Sequence, residues 1–363
     1  MRLLAAVLLA CVAPLFVTPL FAATELTGDV IDGTPVIDRL RVEDLSLGKV
    51  HRFWFRVTDN SIGQGWYVPV IIVRGAQPGP RLLLTAGIHG DELNGVAVIH
   101  RLAATLDPAT LKGTVTMIPG LNTPGINNHT RGFSPSGAIS DNLNRLMPGK
   151  ENASDIAEAY AGRLWARLMK PNADTAIDLH TQSRGTAYVM YAFAETKRAR
   201  EMAMLVAPDI IKLDPGVKGS VENELNRVGI PSITLELGYP EVFDKAMIGR
   251  AVDGIGRVMA DLKMTADGTV PAATIKPYLA NSIVPVRTTR GGYTTRLVEL
   301  GEDVAKDQVI ATVADPFGRI IETVRAPQAG RVNTVATDPT REAGDMVVRI
   351  VWWSPDPKCK DGC

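Results

Sequence analysis

Net charge is absent from this chain. Lys and Arg total 39 and Asp and Glu total 39, so no global field gathers nucleic acid or anionic lipid, and any ligand has to be recognised locally. Cysteine is nearly absent too, with residues only at 11, 359 and 363. Once Cys11 leaves with an N-terminal segment, an even pair remains in Cys359-Lys-Asp-Gly-Cys363. That pair reads either as a small disulfide or as two free thiols on a terminal tail. A disordered composition is also lacking: 45% hydrophobic residues, 33 Gly and 24 Pro in 363 residues describe a folded chain with many turns, long enough for two domains.

What is present begins at the N-terminus. Residues 1–23 read as a secretory signal, with Arg2 as the basic start, Leu3 to Val17 as an apolar stretch broken by Pro14, and Ala22-Ala23 as small residues for cleavage. The same stretch is long enough for an uncleaved anchor, and Cys11 allows a lipoprotein reading. Against the latter, the apolar run before Cys11 is short and continues beyond it. The expected destination is the periplasm or the outside, with no membrane contact after the signal is removed.

Residues 24–80 carry short β-like runs such as Val68 to Val73, punctuated by Gly63, Gly65, Gly75 and Pro78-Gly79-Pro80. Then the pattern changes. Arg81 to Ala86 is a continuous apolar run of strand length, followed by a loop and a helical stretch from about Asp91 to Leu106. Strands are expected at Gly113 to Pro119, Thr175 to Leu179 and Ser232 to Leu235, and helices at Ile156 to Met169 and Ala246 to Leu262. Strands without alternation, separated by helices, predict an α/β domain over 24–265 whose sheet is covered on both faces. Beyond Thr265 the helices stop. Residues 275–352 predict a small β domain, and 353–363 a C-terminal tail.

Three apolar segments end in chemistry. His89 and Glu92 sit three apart in Gly87-Ile-His-Gly-Asp-Glu-Leu-Asn-Gly95, where the chain leaves a buried strand. Such a spacing turns two side chains toward one point when the second lies in a first helical turn, although a capping Glu beside an exposed His gives the same pattern. Thr175-Ala-Ile-Asp-Leu-His180-Thr181 delivers a second histidine at the end of a strand, and Ser232-Ile-Thr-Leu-Glu236-Leu-Gly238 delivers a carboxylate in the same manner. Open parallel sheets bind ligands beyond the carboxyl ends of their strands, so all three segments are expected to meet in one crevice. Two imidazoles and one carboxylate make a three-ligand catalytic zinc set with an open fourth position.

Together, Gly-x-His-Gly-Asp-Glu, Asp-Leu-His-Thr, Leu-Glu-Leu-Gly and Asn142-Leu-Asn-Arg-Leu-Met-Pro-Gly149 resemble the succinylglutamate desuccinylase/aspartoacylase family of carboxypeptidase-like zinc hydrolases, over about residues 65 to 262. The resemblance implies a mixed sheet covered by helices and one Zn2+ per chain held by His89, Glu92 and His180, with Glu236 as general acid/base. It also implies that Arg131, in Asn128-His-Thr-Arg-Gly132, polarises a scissile carbonyl and that Asn144 and Arg145 grip a substrate carboxylate. A surface salt bridge is the alternative for either arginine. Met147 stands where relatives often have Phe and is expected to soften that wall of the pocket. Asp178 is a candidate partner for a ligand histidine, but strand alternation is expected to turn it away from His180. His129 is a candidate cleft residue or an exposed loop residue, His100 reads as structural, and His51 lies outside every motif.

The C-terminal region holds an approximate repeat: Gly291-Gly292 leads to Gly301-Glu-Asp-Val304, and Gly330 leads to Gly344-Asp-Met-Val347. With Gln308-Val-Ile-Ala311, Phe317-Gly318 and Ala326-Pro327, it resembles the biotinyl/lipoyl barrel-sandwich family. Carrier members hold their prosthetic group on a lysine at a hairpin tip; here the turn is Asp315-Pro-Phe-Gly318, without lysine. A lid, spacer or homo-oligomerisation role is expected instead. For the whole chain, the leading expectation is a zinc-dependent deacylase of small carboxylate-bearing N-acyl amino acids or related amines. The alternatives are a periplasmic metallocarboxypeptidase acting on short or cell-wall peptides and a non-catalytic zinc-binding scaffold, which would have no need of Glu236 as a base.

Overall fold

The computed structural model describes residues 23–133, 142–266 and 268–363. Apart from Ala23, the expected signal segment and its Cys11 lie outside the described residues. The N-terminal part contributes strands β1 (Glu25–Ile31), β2 (Thr34–Arg39), β3 (Lys49–Asp59), β4 (Gly65–Arg74), β5 (Gln77–Ala86) and β6 (Lys112–Ile118), with helices α1 (Asn94–Thr105) and α2 (Thr123–Asn128) around the last of these. Helix α3 (Ile156–Arg163), β7 (Thr175–His180), β8 (Thr186–Tyr188), β9 (Met190–Ala194), α4 (Lys197–Val206) and β10 (Ile210–Leu213) follow. Then come α5 (Val221–Arg227), β11 (Ser232–Leu237), α6 (Lys245–Asp261) and β12 (Tyr278–Ala280).

These form an eleven-stranded mixed sheet in the order β1-β2-β3-β4-β6-β5-β7-β11-β9-β10-β12. Its centre is parallel: β5 pairs with β6 and β7, and β7 with β11. Strands β4 and β9 flank that centre antiparallel. The unbroken apolar runs of β5, β7 and β11 follow from their place, since helices cover both faces and leave no polar side. Leu82, Leu84, Ile177, Leu179, Ile233 and Leu235 pack under α1, α4 and α6. Leu83 and Ala176 face the other way, toward α3 and α5. A Leu235→Ala cavity in this core would cost about 2–5 kcal/mol.

Alternation then decides where the polar residues go. On β7, Ala176 shares its face with Asp178 and His180; on β11, Ile233 and Leu235 take the first face, which leaves Thr234 and Glu236 on the second. The expected helix over Ile156 to Met169 is α-helical to Arg163 and continues as a wider π turn over Leu164–Met169.

The remaining strands are β13 (Ser282–Arg287), β14 (Gly292–Arg296), β15 (Asp303–Val304), β16 (Val309–Ala314), β17 (Ile320–Arg325), β18 (Gly330–Ala336), β19 (Thr340–Arg341) and β20 (Met346–Trp352). They make two facing antiparallel sheets, β13-β20-β18-β15 and β17-β16-β14-β19, around a small core of Val, Ile and Ala side chains. This β unit is joined to the α/β unit by backbone pairing, because β8 adds to the edge of β18 through Thr334↔Tyr188 and Ala336↔Thr186. Cys359 and Cys363 are bonded to each other. Among the described residues no helix is long and apolar enough to cross a membrane.

Candidate metal centre and active site

Residues 87–93 form a tight turn between β5 and α1. Gly87 has φ +66°, and a Cβ on Gly90 would meet the backbone of Gly125 at 2.0 Å, so both positions need glycine. Helix α1 begins at Asn94, three residues later than the sequence pattern suggests. Asp91 and Glu92 are therefore turn residues, and their carboxylates serve the site instead of a helix end: Asp91 accepts from Ser183 Oγ and the Arg184 N–H. Asn94 locks the turn in place, donating to the Leu237 carbonyl at 2.7 Å and accepting from the Asp244 N–H at 2.9 Å.

His89, Glu92 and His180 converge. One donor atom from each lies within 4.8 Å of the others, and all three residues are buried. His180 Nδ1 approaches Glu92 Oε2 at 2.9 Å, while His89 Nδ1 sits 2.9 Å from Glu92 Oε1 without the alignment of a hydrogen bond. With Nδ1 deprotonated, such contacts turn lone pairs toward the carboxylate, which is costly for a buried pair unless a proton or a cation lies between them.

The far side of each ring supports this. His180 Nε2 donates to Asp178 Oδ2 at 2.8 Å, and Asp178 Oδ1 accepts from Thr85 Oγ at 2.6 Å. His89 Nε2 donates to Asn142 Oδ1 at 3.2 Å, an oxygen that also accepts from the Asn144 N–H at 3.0 Å. Each outer nitrogen faces an acceptor, so each carries the proton and leaves Nδ1 as a ligand atom. The donor set N, N, O fits a divalent metal ion.

Asp178 corrects the sequence expectation. Residues two apart on a strand lie on the same face, so alternation aligns Asp178 with His180 instead of separating them.

Electrostatics follow from burial. Burial alone would raise the Glu92 carboxyl, but the His89 and His180 imidazoles outweigh it and hold Glu92 well below the ordinary range. Burial would lower His180, but the Asp178 and Glu92 carboxylates outweigh it and raise its affinity for a proton. Glu236 stands beside His180 in the β7–β11 register. Burial pushes its carboxyl up to about 8, and Oε2 has no hydrogen-bond partner.

A cleft of about 490 Å³ opens over these groups and is lined by all seven residues singled out from the sequence: His89, Glu92, Arg131, Asn144, Arg145, His180 and Glu236. Arg131 Nη1 donates to Glu92 Oε1 at 2.7 Å and to Ser183 Oγ at 2.6 Å, so its salt bridge lies inside the site and not on the surface. Asn144 Oδ1 accepts the Val221 N–H at 2.9 Å. Arg145 has no carboxylate partner among the described residues; burial and the Arg131 charge both lower its pKa.

Four other residues weighed from the sequence lie outside this site. Met147 is 3% exposed and packs in the core with Leu143 and Tyr160; it does not line the cleft, because the turn that presents Asn144 and Arg145 carries its side chain inward. His129 caps α2 in the left-handed region on the exposed surface, and His100 is exposed on α1. His51 Nε2 contacts the Ser46 carbonyl on β3. Conversely, Tyr188, Ser183 and Arg349 line the cleft and belong to no motif.

A sequence model of the succinylglutamate desuccinylase/aspartoacylase catalytic domain matches residues 78–262, just over half of the chain. The chain belongs to this family. This member of the desuccinylase/aspartoacylase family is 27% identical over 277 residues to the N-alpha-acetyl-L-2,4-diaminobutyric acid deacetylase of Halomonas elongata, across 71% of this chain and 77% of that one. It is 26% identical over 206 residues to the succinylglutamate desuccinylase of Pseudomonas paraeruginosa, across 53% and 59%. The product-bound ectoine utilization protein EutE (DoeB) from Ruegeria pomeroyi shares its fold, with a TM-score of 0.73, 22% identity and coverage of 85% of this chain and 97% of that one. A succinylglutamate desuccinylase/aspartoacylase from Rhodobacter sphaeroides does so with a TM-score of 0.72, 22% identity and coverage of 86% and 98%. Family membership and these relatives support hydrolase activity, with deacylation at an amide bond.

Proposed function

We propose that the protein is a zinc-dependent deacylase that hydrolyses the amide bond of a small, carboxylate-bearing N-acyl amino acid or related amine. One observation carries this reading: the unpartnered, buried Glu236 oxygen stands in register with His180, beside three convergent donors that fit a metal ion. A scaffold has no use for such a carboxylate.

His89, Glu92 and His180 would hold the ion. When bound, it supplies Lewis acidity and brings the pKa of a water toward about 7. The remaining roles belong to the chain. Glu236 accepts the proton of the attacking water at Oε2 and returns it to the leaving amine. Its affinity for a proton falls when positive charge is added next to it, which restores the ionised base that burial disfavours. Arg131 stabilises the charge that develops on the carbonyl oxygen. Arg145 presents a planar fork to the substrate carboxylate, as no carboxylate among the described residues occupies it. Asp178 and Asn142 orient the two imidazoles.

An exported location is part of the same proposal. The composition of residues 1–23 and the Cys359–Cys363 bond support it, since disulfides persist in oxidising compartments. Cell fractionation tests it, and recovery of the protein in the cytosol with its N-terminus intact would reject it.

The central experiment is an activity screen of the zinc-reconstituted protein against short N-acyl amino acids and tripeptides side by side. Higher kcat/KM for the N-acyl amino acids is expected. Efficiency that rises as residues are added on the acyl side would favour a carboxypeptidase instead.

A further inference from the structure

Glu222 is a buried carboxylate that the proposed chemistry does not use. It belongs to α5, is 6% exposed and lines the cleft. Its Oε1 has no hydrogen-bond partner. The side chain lies against the Thr234 hydroxyl, and Thr234 precedes Glu236 by two residues on β11. Thr234 and Glu236 thus share a face and are separated by about 7 Å along the strand. Glu222 therefore marks a second polar point on the cleft floor, one pleat away from the proposed base.

The surroundings of that point are acidic. Burial raises the Glu222 carboxyl well above its ordinary range, the Thr234 hydroxyl offsets part of this, and Asp214, Glu195 and Asp178 add to it. Lys212 is engaged by Asp214 at 2.8 Å, and Glu195 is held by the amides of Asn223 and Asn226. Arg145 has the opposite character: burial and Arg131 both lower its pKa, and among the described residues no carboxylate pairs with it. The cleft thus holds both guanidinium groups and a carboxylate with an unsatisfied oxygen. An apolar side chain would leave Oε1 unpaired when the substrate excludes water, and an acidic one would add repulsion. An ammonium group would satisfy it.

We infer that Glu222 is a specificity-determining residue that receives a cationic group on a short side chain of the amino acid, so that the substrate is the N-acyl derivative of a basic amino acid. The inference rests on the reading of the cleft as an N-acyl amino acid site and adds the side chain to it. Arg145 takes the carboxylate, the amide lies over Glu236, and the side-chain ammonium reaches Glu222.

The test uses free amino acids as probes, so that binding is read without turnover. Calorimetric titration of the zinc-reconstituted protein with ornithine, its neutral isostere norleucine, and glutamate should show ornithine binding roughly tenfold or more tighter than either, the size of a hydrogen bond to a charged group. In Glu222→Gln, nearly isosteric, ornithine and norleucine should bind within about threefold of each other, with an unchanged melting temperature showing that the fold persists. Equal binding of ornithine and norleucine to the wild type, absence of binding by all three, or a preference that survives Glu222→Gln would each overturn the inference. Hydrolysis of the three N-acetyl derivatives is measured in parallel. If none is cleaved while ornithine still binds through Glu222, the deacylase reading falls and the assignment of Glu222 stands.

Discussion

The Arg349 guanidinium donates a hydrogen bond to the Tyr188 hydroxyl at 2.8 Å. Arg349 lies on β20 of the C-terminal β unit, and Tyr188 ends β8, which the α/β unit lends to the neighbouring sheet. Both side chains line the cleft. The β unit is therefore part of the cleft wall. Arg349→Leu should lower kcat/KM for an N-acyl amino acid roughly tenfold, the loss expected for a charge-assisted hydrogen bond that positions a buried tyrosine, with zinc content unchanged. Kinetics within twofold of wild type would show that the contact does not shape the site.

His180→Ala should abolish stoichiometric zinc binding, and chelation of the wild type should abolish hydrolysis while leaving the circular dichroism spectrum largely intact. The second half follows from the sheet's two apolar faces, which are buried without any metal. Elemental analysis of the purified variant decides the first half; one zinc per chain would remove His180 from the ligand set.

Asp178→Ala leaves the ligands in place but frees the His180 ring and its tautomer. Zinc affinity should fall roughly 10- to 100-fold, as for other partners that orient a ligand imidazole. Competition with a fluorescent chelator measures this, and an unchanged dissociation constant would reduce Asp178 to a packing role.

Glu236→Gln should retain zinc and lose about 10²- to 10⁴-fold in kcat, since the amide cannot accept and return a proton. The same variant reports the buried charge in the metal-free protein. Burial raises the Glu236 carboxyl from 4.5 to about 8, so between those values the folded chain keeps a proton that the unfolded chain has lost. Stability contributed by this group consequently falls as pH rises through that window. Glu92 and His180 interact with Glu236, so the difference reports Glu236 together with its effect on their titration. The melting temperature of chelator-treated Glu236→Gln should gain on wild type steadily from pH 5 to pH 8; a constant difference would mean that Glu236 is not buried as a neutral acid.

The hairpin between β16 and β17 turns through Asp315, whose carboxylate caps the Phe317 and Arg319 N–H groups. No lysine stands in that turn, so the β unit should carry no prosthetic group. Intact mass spectrometry checks this, and a lipoyl or biotinyl increment would contradict it.

Much of the site was legible in the sequence because apolar runs of five or six residues bounded by turns read as central strands, and a polar residue closing such a run is placed at the strand end, where the sheet binds ligands. His180 and Glu236 were found this way, and His89 with Glu92 through the glycine turn that follows β5. Segments without such runs were not legible. Strands β9 and β10 and helix α4, over 190–213, are short and went unassigned, as their pairing partners lie far along the chain. The misreading of Asp178 was an error of parity and not of information, since strand periodicity already placed it beside His180.

The sequence by itself determined which residue types close the central strands, and hence that a His, Glu, His and Glu set would gather at one end of the sheet. Only the tertiary structure decided that β7 lies between β5 and β11, which brings Glu236 level with His180. It alone brought Arg349 to Tyr188 across 161 positions, turned Met147 into the core and left one oxygen of Glu222 unpartnered in the cleft. The physical reason is that strand periodicity is a local property of the chain. Strand order and contacts between remote side chains are settled by how whole faces pack, and that packing leaves no pattern within any single segment.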